Sequence, residues 1–236
     1  MSVSEIPERI HALRAEVCAV ERAVRQSTNQ IRYPNVFLCL RHVCIRGIIG
    51  KEVYMNALTL VHNVISSKVK KGDFCIDATA GRGFDTAFLC ETVGKEGKVI
   101  AFDIQQSAID STKALLDGKN LQADVILASH ADMDKYAEKE SVDCIVFNLG
   151  YLPKGDHSIY TRFESTKEAI EKGLDLLKRG GLMCVSVYYG GDSGYEEKDA
   201  LLPFLKSLDD EKYQVLATFF YNWKKDPPIP IFIIKN

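Results

Sequence analysis

From residue 54 onward, short apolar runs alternate with stretches in which apolar residues recur every third or fourth position. The runs near 74–78, 98–103, 124–128, 142–147 and 182–188 read as strands, and the stretches between them as helices. Residues 57–69 read as a helix ending at Lys70-Lys71-Gly72. Residues 165–177 read as another, stopped by the C-terminal glycine signal of Gly180 and Gly181. A helix around 198–208 precedes strands at 214–221 and 229–234. The link over 222–228 is too short for a crossover, so these last two strands form a hairpin with one antiparallel strand. Apolar strands alternating with helices predict an α/β fold: a seven-stranded, mostly parallel sheet covered on both faces.

The first fifty residues follow another rhythm. Ile6, Ile10, Leu13, Val17, Val20 and Val24 mark an amphipathic helix, and residues 36–46 a second. The predicted organisation is a helical N-terminal extension over 1–50 and one α/β domain over 51–236. The extension is expected to cover that domain or to form a homodimer.

Composition narrows the class. No apolar run approaches the roughly 20 residues of a membrane span, and charges at Glu5, Glu8 and Arg9 argue against a secretory signal. Seven cysteines occur without a Cys-x-x-Cys pair, which favours reduced thiols, a cytoplasmic location and no metal site. The net charge is −2, so overall charge does not advertise nucleic-acid binding. Residues 1–50 nevertheless hold seven Arg against four Glu, with no Lys or Asp. Such a segment can meet phosphates or form a solvated helix face.

The chemistry concentrates at strand ends. Asp77-Ala-Thr-Ala-Gly-Arg-Gly-Phe-Asp-Thr86 lies between two apolar runs, as a strand, a glycine turn and a helix start. Gly81 and Gly83 let a ligand approach the backbone, and the helix start offers free N–H groups. A dinucleotide fingerprint needs a third small residue, and Thr86 stands there, so a dehydrogenase fits poorly. Asp77 instead suits a cofactor with a cationic amino-acid portion, which points to S-adenosylmethionine. Asp103 ends the next strand, where it can accept bonds from ribose hydroxyls. The third strand ends in Ser129-His130-Ala-Asp132, whose polar side chains can reach the adenine. Five strands with crossovers and a final hairpin are the layout of the class I methyltransferase fold.

The fourth strand runs into Asn148-Leu-Gly-Tyr-Leu-Pro153. Asn-x-x-Tyr here resembles the Asn-Pro-Pro-Tyr loop of amino-group methyltransferases. An attacking amine needs acceptors for its N–H bonds so that its lone pair faces the methyl carbon. The Asn148 side-chain oxygen and the Leu149 carbonyl can supply them, with Gly150 in the same turn. Tyr151 can stack on a base. Asp156, His157 and Asp192 are candidates to take the amine's proton.

Several segments together resemble one family. They are the glycine turn, Phe102-Asp-Ile-Gln105, Ser129-His130, Phe147-Asn-Leu-Gly-Tyr-Leu-Pro153 with Gly155-Asp156, and Tyr188-Tyr-Gly-Gly191 with Glu197. They are similar to bacterial methyltransferases that convert 5-aminomethyl-(2-thio)uridine at the tRNA wobble position to its methylaminomethyl form. The resemblance covers residue 54 to the end. It implies cofactor contacts from Asp77, Thr79, Gly81, Gly83, Asp85, Thr86, Asp103, Gln105, Ser129 and His130, and a primary alkylamine as acceptor. Arg82, Phe84 and Lys154 depart from the family pattern, where Asn, His and Gly are common. With tRNA as the partner, Lys154, His157, Arg162, Lys178, Arg179, Lys224 and Lys225 can frame a rim, and Tyr160 and Trp223 can stack on anticodon bases. The alternatives are another amine substrate (an rRNA base, a protein or a small molecule) and a non-catalytic methyltransferase-like partner subunit.

Overall fold

The computed structural model describes residues 55–150, 161–189, 194–224 and 226–236. All of these belong to the second of the chain's two units, Glu52–Asn236. The helical extension expected over 1–50 lies outside the described residues.

The described chain runs α1 (Ala57–Lys68), β1 (Phe74–Asp77), α2 (Phe84–Val93), β2 (Lys98–Asp103), α3 (Gln106–Lys119) and β3 (Asp124–Leu127). A short 3-10 helix, His130–Lys135, leads to β4 (Val142–Leu149), α4 (Phe163–Leu176), β5 (Leu177–Val187), α5 (Gly194–Lys206), β6 (Tyr213–Ala217) and β7 (Ile229–Lys235). The seven strands form one sheet in the order β3-β2-β1-β4-β5-β7-β6. The first five are parallel, and β7 runs antiparallel between β5 and β6.

Both faces of the central strands β1, β2, β4, β5 and β7 are buried, which explains why these strands read as continuous apolar runs, while the edge strands β3 and β6 are more exposed. Along β4, Cys144 and Val146 point to one face and Ile145 and Phe147 to the other. The first face packs on Val61 and Ile65 of α1, Leu89 and Val93 of α2, and Leu116 of α3. The second packs on Ile170 and Leu174 of α4, Leu201 and Leu205 of α5, and Met133. Asn56 caps α1 by accepting the Thr59 N–H at 2.8 Å. Cys75, Cys90, Cys144 and Cys184 are buried free thiols, so each described cysteine is reduced, as expected. Among the described residues no helix is long and apolar enough to cross a membrane, and no cluster of side chains could hold a metal ion.

Three boundaries differ from expectation. The helix before β5 ends at Leu176, within a residue of expectation, but β5 starts at Leu177 instead of after the glycine pair, near 182. Leu177 is fully buried and extended and pairs with Val142, so the chain enters the sheet at once. The register shift before the Cys144–Leu182 pair absorbs the intervening residues as an irregularity, in which Gly180 has φ +76°. Strand β6 ends at Ala217 instead of continuing to 221. Pro230 accepts the Thr218 N–H at 2.9 Å but has no N–H to return, so the ladder stops there. Strand β4 extends to Leu149, which places Asn148 in the strand end and not in the loop beyond.

Candidate active site

The chain order reverses beside β1, which has β2 on one side and β4 on the other. In such sheets the crevice beyond the carboxyl ends at the reversal receives ligands. The residues from β1, β2 and β4 singled out in the sequence end here.

Asp77 closes β1. Expected to meet a ligand's cationic end, it is instead fully buried and turned inward. Its oxygens accept the Thr79 N–H at 3.1 Å and the Thr86 hydroxyl at 2.6 Å, so it braces the turn. Burial, and then the Asp85 charge, push its pKa up to about 7 against the two hydrogen bonds. A carboxyl raised in this way keeps a proton that the unfolded chain has already released, so stability falls as pH rises from about 4 to about 7. Measured against Asp77→Asn, which cannot titrate, the wild type is expected to lose about 2–4 kcal/mol across that window. Thermal melts at several pH values test this; a pH-independent difference would show that Asp77 does not titrate there.

The turn itself follows from backbone geometry. Gly81 and Gly83 have φ of +55° and +81°, which glycine adopts without strain. The Gly81 N–H donates to Asp103 Oδ2 at 3.0 Å, and the Gln105 N–H to Asp103 Oδ1 at 2.9 Å. Asp103 thus ties the β1 turn to the β2 turn. Its carboxylate keeps further lone pairs, enough for ribose hydroxyls. The Gln105 side chain does not cap α3, at whose start it stands. Arg82 and Phe84 are exposed on the turn, as is Ile104 beside Asp103.

At the end of β3 the three polar residues separate. Ser129 accepts the Ala131 N–H and caps the 3-10 helix. Asp132 is paired with Lys135 at 2.6 Å. His130 packs edge-on against Phe147, with its ring centroid 5.9 Å away. Burial lowers its pKa, against a hydrogen bond to the Ala78 backbone. A neutral ring donating to Ala78 leaves Nε2 as an acceptor, and this buried nitrogen has no partner. An adenine amino group is the kind of donor it lacks.

Across the reversal, the Thr79 hydroxyl accepts the Asn148 N–H at 2.7 Å. The Asn148 side-chain NH2 donates to Asp85 Oδ2 at 2.5 Å. Since a carboxylate only accepts, this bond orients the amide and leaves Asn148 Oδ1 for another donor. The Leu149 carbonyl, the second expected acceptor, already receives the Tyr188 N–H at 3.1 Å, which leaves one lone pair. Gly150 and Thr161 are bonded to each other. The Gly150 N–H donates to the Thr161 hydroxyl oxygen, and the Thr161 N–H to the Gly150 carbonyl. Thr161 and Thr166 both donate to Glu197, whose pKa is raised by burial. Tyr151, Asp156, His157 and Asp192 lie outside the described residues.

The sequence reading missed His62 of α1, whose Nε2 lies 2.5 Å from Asp85 Oδ1. It stands on the half-exposed side of an amphipathic helix, and nothing in the linear pattern distinguishes it from a surface residue.

This sheet order, with a glycine turn after β1, an acid at the end of β2 and an asparagine at the end of β4, defines a class I S-adenosylmethionine-dependent methyltransferase. The donors and acceptors suit that cofactor: spare acceptor capacity on Asp103 and the orphaned His130 nitrogen. The chain belongs to the family described as "Putative rRNA methylase", whose model matches residues 99–234. It is 38% identical over 208 residues to the tRNA (mnm(5)s(2)U34)-methyltransferase, chloroplastic, of Arabidopsis thaliana, covering 84% of this chain and 74% of that one. A crystal structure of a "putative rRNA-methylase" from Clostridium thermocellum superposes with TM-score 0.76 at 46% identity, over 78% of this chain and all of that one. A methyltransferase of Streptococcus mutans in complex with SAH has TM-score 0.71 at 36% identity, with the same coverage. The protein is an S-adenosylmethionine-dependent methyltransferase.

Proposed function

We propose that the enzyme methylates the primary amine of 5-aminomethyl-(2-thio)uridine at the wobble position of tRNA. The observation that carries this reading is the Asn148 amide, anchored through its NH2 so that its oxygen is presented as an acceptor. Bound S-adenosylmethionine supplies an electrophilic methyl group on a sulfonium. Gly81, Gly83, Asp103, Gln105 and His130 are the residues to hold it, with Asp77, Thr79 and Thr86 bracing the turn. Asn148 Oδ1 takes an N–H of the amine and aims the nitrogen lone pair, so the protein's contribution is largely positioning. The Arabidopsis relative carries a name for this tRNA activity, which supports the choice of acceptor.

Aromatic residues on the same edge support an RNA substrate. The Val187–Ile229 pair puts the link between β6 and β7 at the carboxyl end of β5. There Phe220 and Trp223 stack, with centroids 4.5 Å apart, and Phe219 and Tyr221 are exposed. Tyr195 anchors the link by donating to Asp226 at 2.6 Å. Lys198 lies over the Tyr189 and Tyr195 rings and is paired with Asp199 at 3.2 Å. Unpaired bases stack on such platforms.

The test is incubation of the purified protein with labelled S-adenosylmethionine and tRNA bearing 5-aminomethyl-2-thiouridine, followed by mass spectrometry of the nucleosides. One added methyl on that nucleoside is the expected result. No transfer despite cofactor binding would move the acceptor to another amine, and no binding would favour a non-catalytic subunit. Asp103→Ala is expected to weaken cofactor binding about tenfold or more, because the Gly81 and Gln105 N–H groups lose their acceptor. Calorimetry with S-adenosylhomocysteine reads this directly, and unchanged affinity would remove Asp103 from the cofactor site.

A further inference from the structure

His62, Asp85 and Asn148 come from three elements, α1, α2 and β4, and form one hydrogen-bonded chain. His62 Nε2 meets one Asp85 oxygen at 2.5 Å, and the Asn148 NH2 meets the other at 2.5 Å. The imidazole also lies flat on Phe88, with centroids 3.7 Å apart and planes 4° from parallel. Phe88 follows Asp85 by nearly one turn of α2, so the same helix face holds the ring by its plane and by its edge. The His62 and Asp85 side chains are only 25% and 13% exposed, so neither contact is a loose surface pair.

The chemistry of an amide makes this chain consequential. The two ends of Asn148 are nearly equal in shape but opposite in hydrogen bonding. A flipped amide would present NH2 to an incoming amine and orient nothing. Asp85 prevents the flip, because its carboxylate only accepts. Asp85 itself stands in the first turn of α2, close enough to buried Asp77 for its charge to suppress that group's ionisation. The two carboxyl groups repel when both are charged. The Asn148 NH2 on one Asp85 oxygen and His62 on the other hold Asp85 in place against that repulsion.

We propose that His62 is a positioning residue for the methyl acceptor: by donating to Asp85 it keeps the Asn148 amide oxygen turned toward the substrate amine. The identity of that substrate rests on the amine reading given above; the orientation of Asn148 does not. His62 acts entirely through Asp85 and is distinct from the residues that would hold the cofactor's ribose and adenine. It also lies before the segment matched by the family model.

Two substitutions separate orientation from packing. His62→Phe keeps a ring on Phe88 and removes the donor, whereas His62→Gln offers an amide N–H in its place. In the unliganded, 15N-labelled protein, the Asn148 side-chain NH2 should give one downfield, slowly exchanging proton. His62→Phe should move that signal toward a free amide and speed its exchange about tenfold, and His62→Gln should restore most of the difference. In methyl transfer, His62→Phe should lower kcat about 10–100-fold with KM for S-adenosylmethionine nearly unchanged, and His62→Gln should recover activity. Wild-type Asn148 signals together with wild-type kcat in His62→Phe would overturn the proposal. Should His62→Phe not fold, His62→Leu is the donor-free comparison at this partly exposed position, with the same two outcomes. If the wild type itself fails to methylate 5-aminomethyl-2-thiouridine, the amine reading falls. The Asn148 resonances then still decide, on their own, whether His62 holds the amide.

Discussion

Replacing Asn148 with alanine is expected to lower methyl transfer about 100-fold or more while cofactor affinity stays close to that of the wild type. The side chain contributes the acceptor oxygen, but its backbone makes the structural contact. The Asn148 N–H bonded to Thr79 survives the substitution, and so do the Gly81 and Gln105 bonds to Asp103. The cofactor turn therefore keeps its shape. Asn148→Asp is not a gentle alternative, because it sets a second carboxylate against Asp85 at hydrogen-bond distance. Single-turnover rates, with S-adenosylhomocysteine calorimetry in parallel, separate the two effects. A wild-type rate in Asn148→Ala would remove this residue from the reaction. A loss of binding as large as the loss of rate would erase the division between cofactor and acceptor residues.

The largest stability effect in the site is expected from Gly83→Ala. Gly83 sits at φ +81°, where a Cβ is strained whatever the surrounding space. That Cβ would also lie 2.8 Å from the Thr112 Cα and 3.1 Å from its side chain. The nearest atom is backbone in the middle of α3, so the neighbour cannot swing aside. Left-handed strain and overpacking together cost about 2–4 kcal/mol, and separating α3 from the turn should weaken cofactor binding at least about tenfold. Gly118, in the same helix, provides the contrast. Its Cβ would meet nothing within 4 Å, so Gly118→Ala should stabilise by about 0.5–1 kcal/mol. Denaturant melts of the two variants make the comparison. Equal stability in Gly83→Ala and wild type would show that the turn does not need this close approach to α3.

Where local rules decide the structure, the sequence was enough to read it. The central strands followed from apolar runs because both their faces are buried, and the glycine turn followed from its place between a strand and a helix. Asn148 was singled out by its Asn-x-x-Tyr spacing just past an apolar run, and the strand extends beyond that run to include it. The misreadings came where distant partners decide. The early start of β5 depends on Leu177 meeting Val142, and the early end of β6 on Pro230, which is remote in the chain. Asp77 was read as facing a ligand because its partners, Thr79 and Thr86, show no preference for it in the linear pattern. His62 was missed for the same reason: its role exists only once α1, α2 and β4 have been brought together.

The bond from Asn148 to Thr79 has a thermodynamic consequence. It joins the end of β4 directly to the turn that follows β1. Ordering either side thus restricts the other. By linkage, any factor by which the donor tightens binding of the acceptor is returned equally when the acceptor binds first. The Thr79 hydroxyl and the Asn148–Asp85 bond are thus the side-chain links through which any such reciprocity would pass.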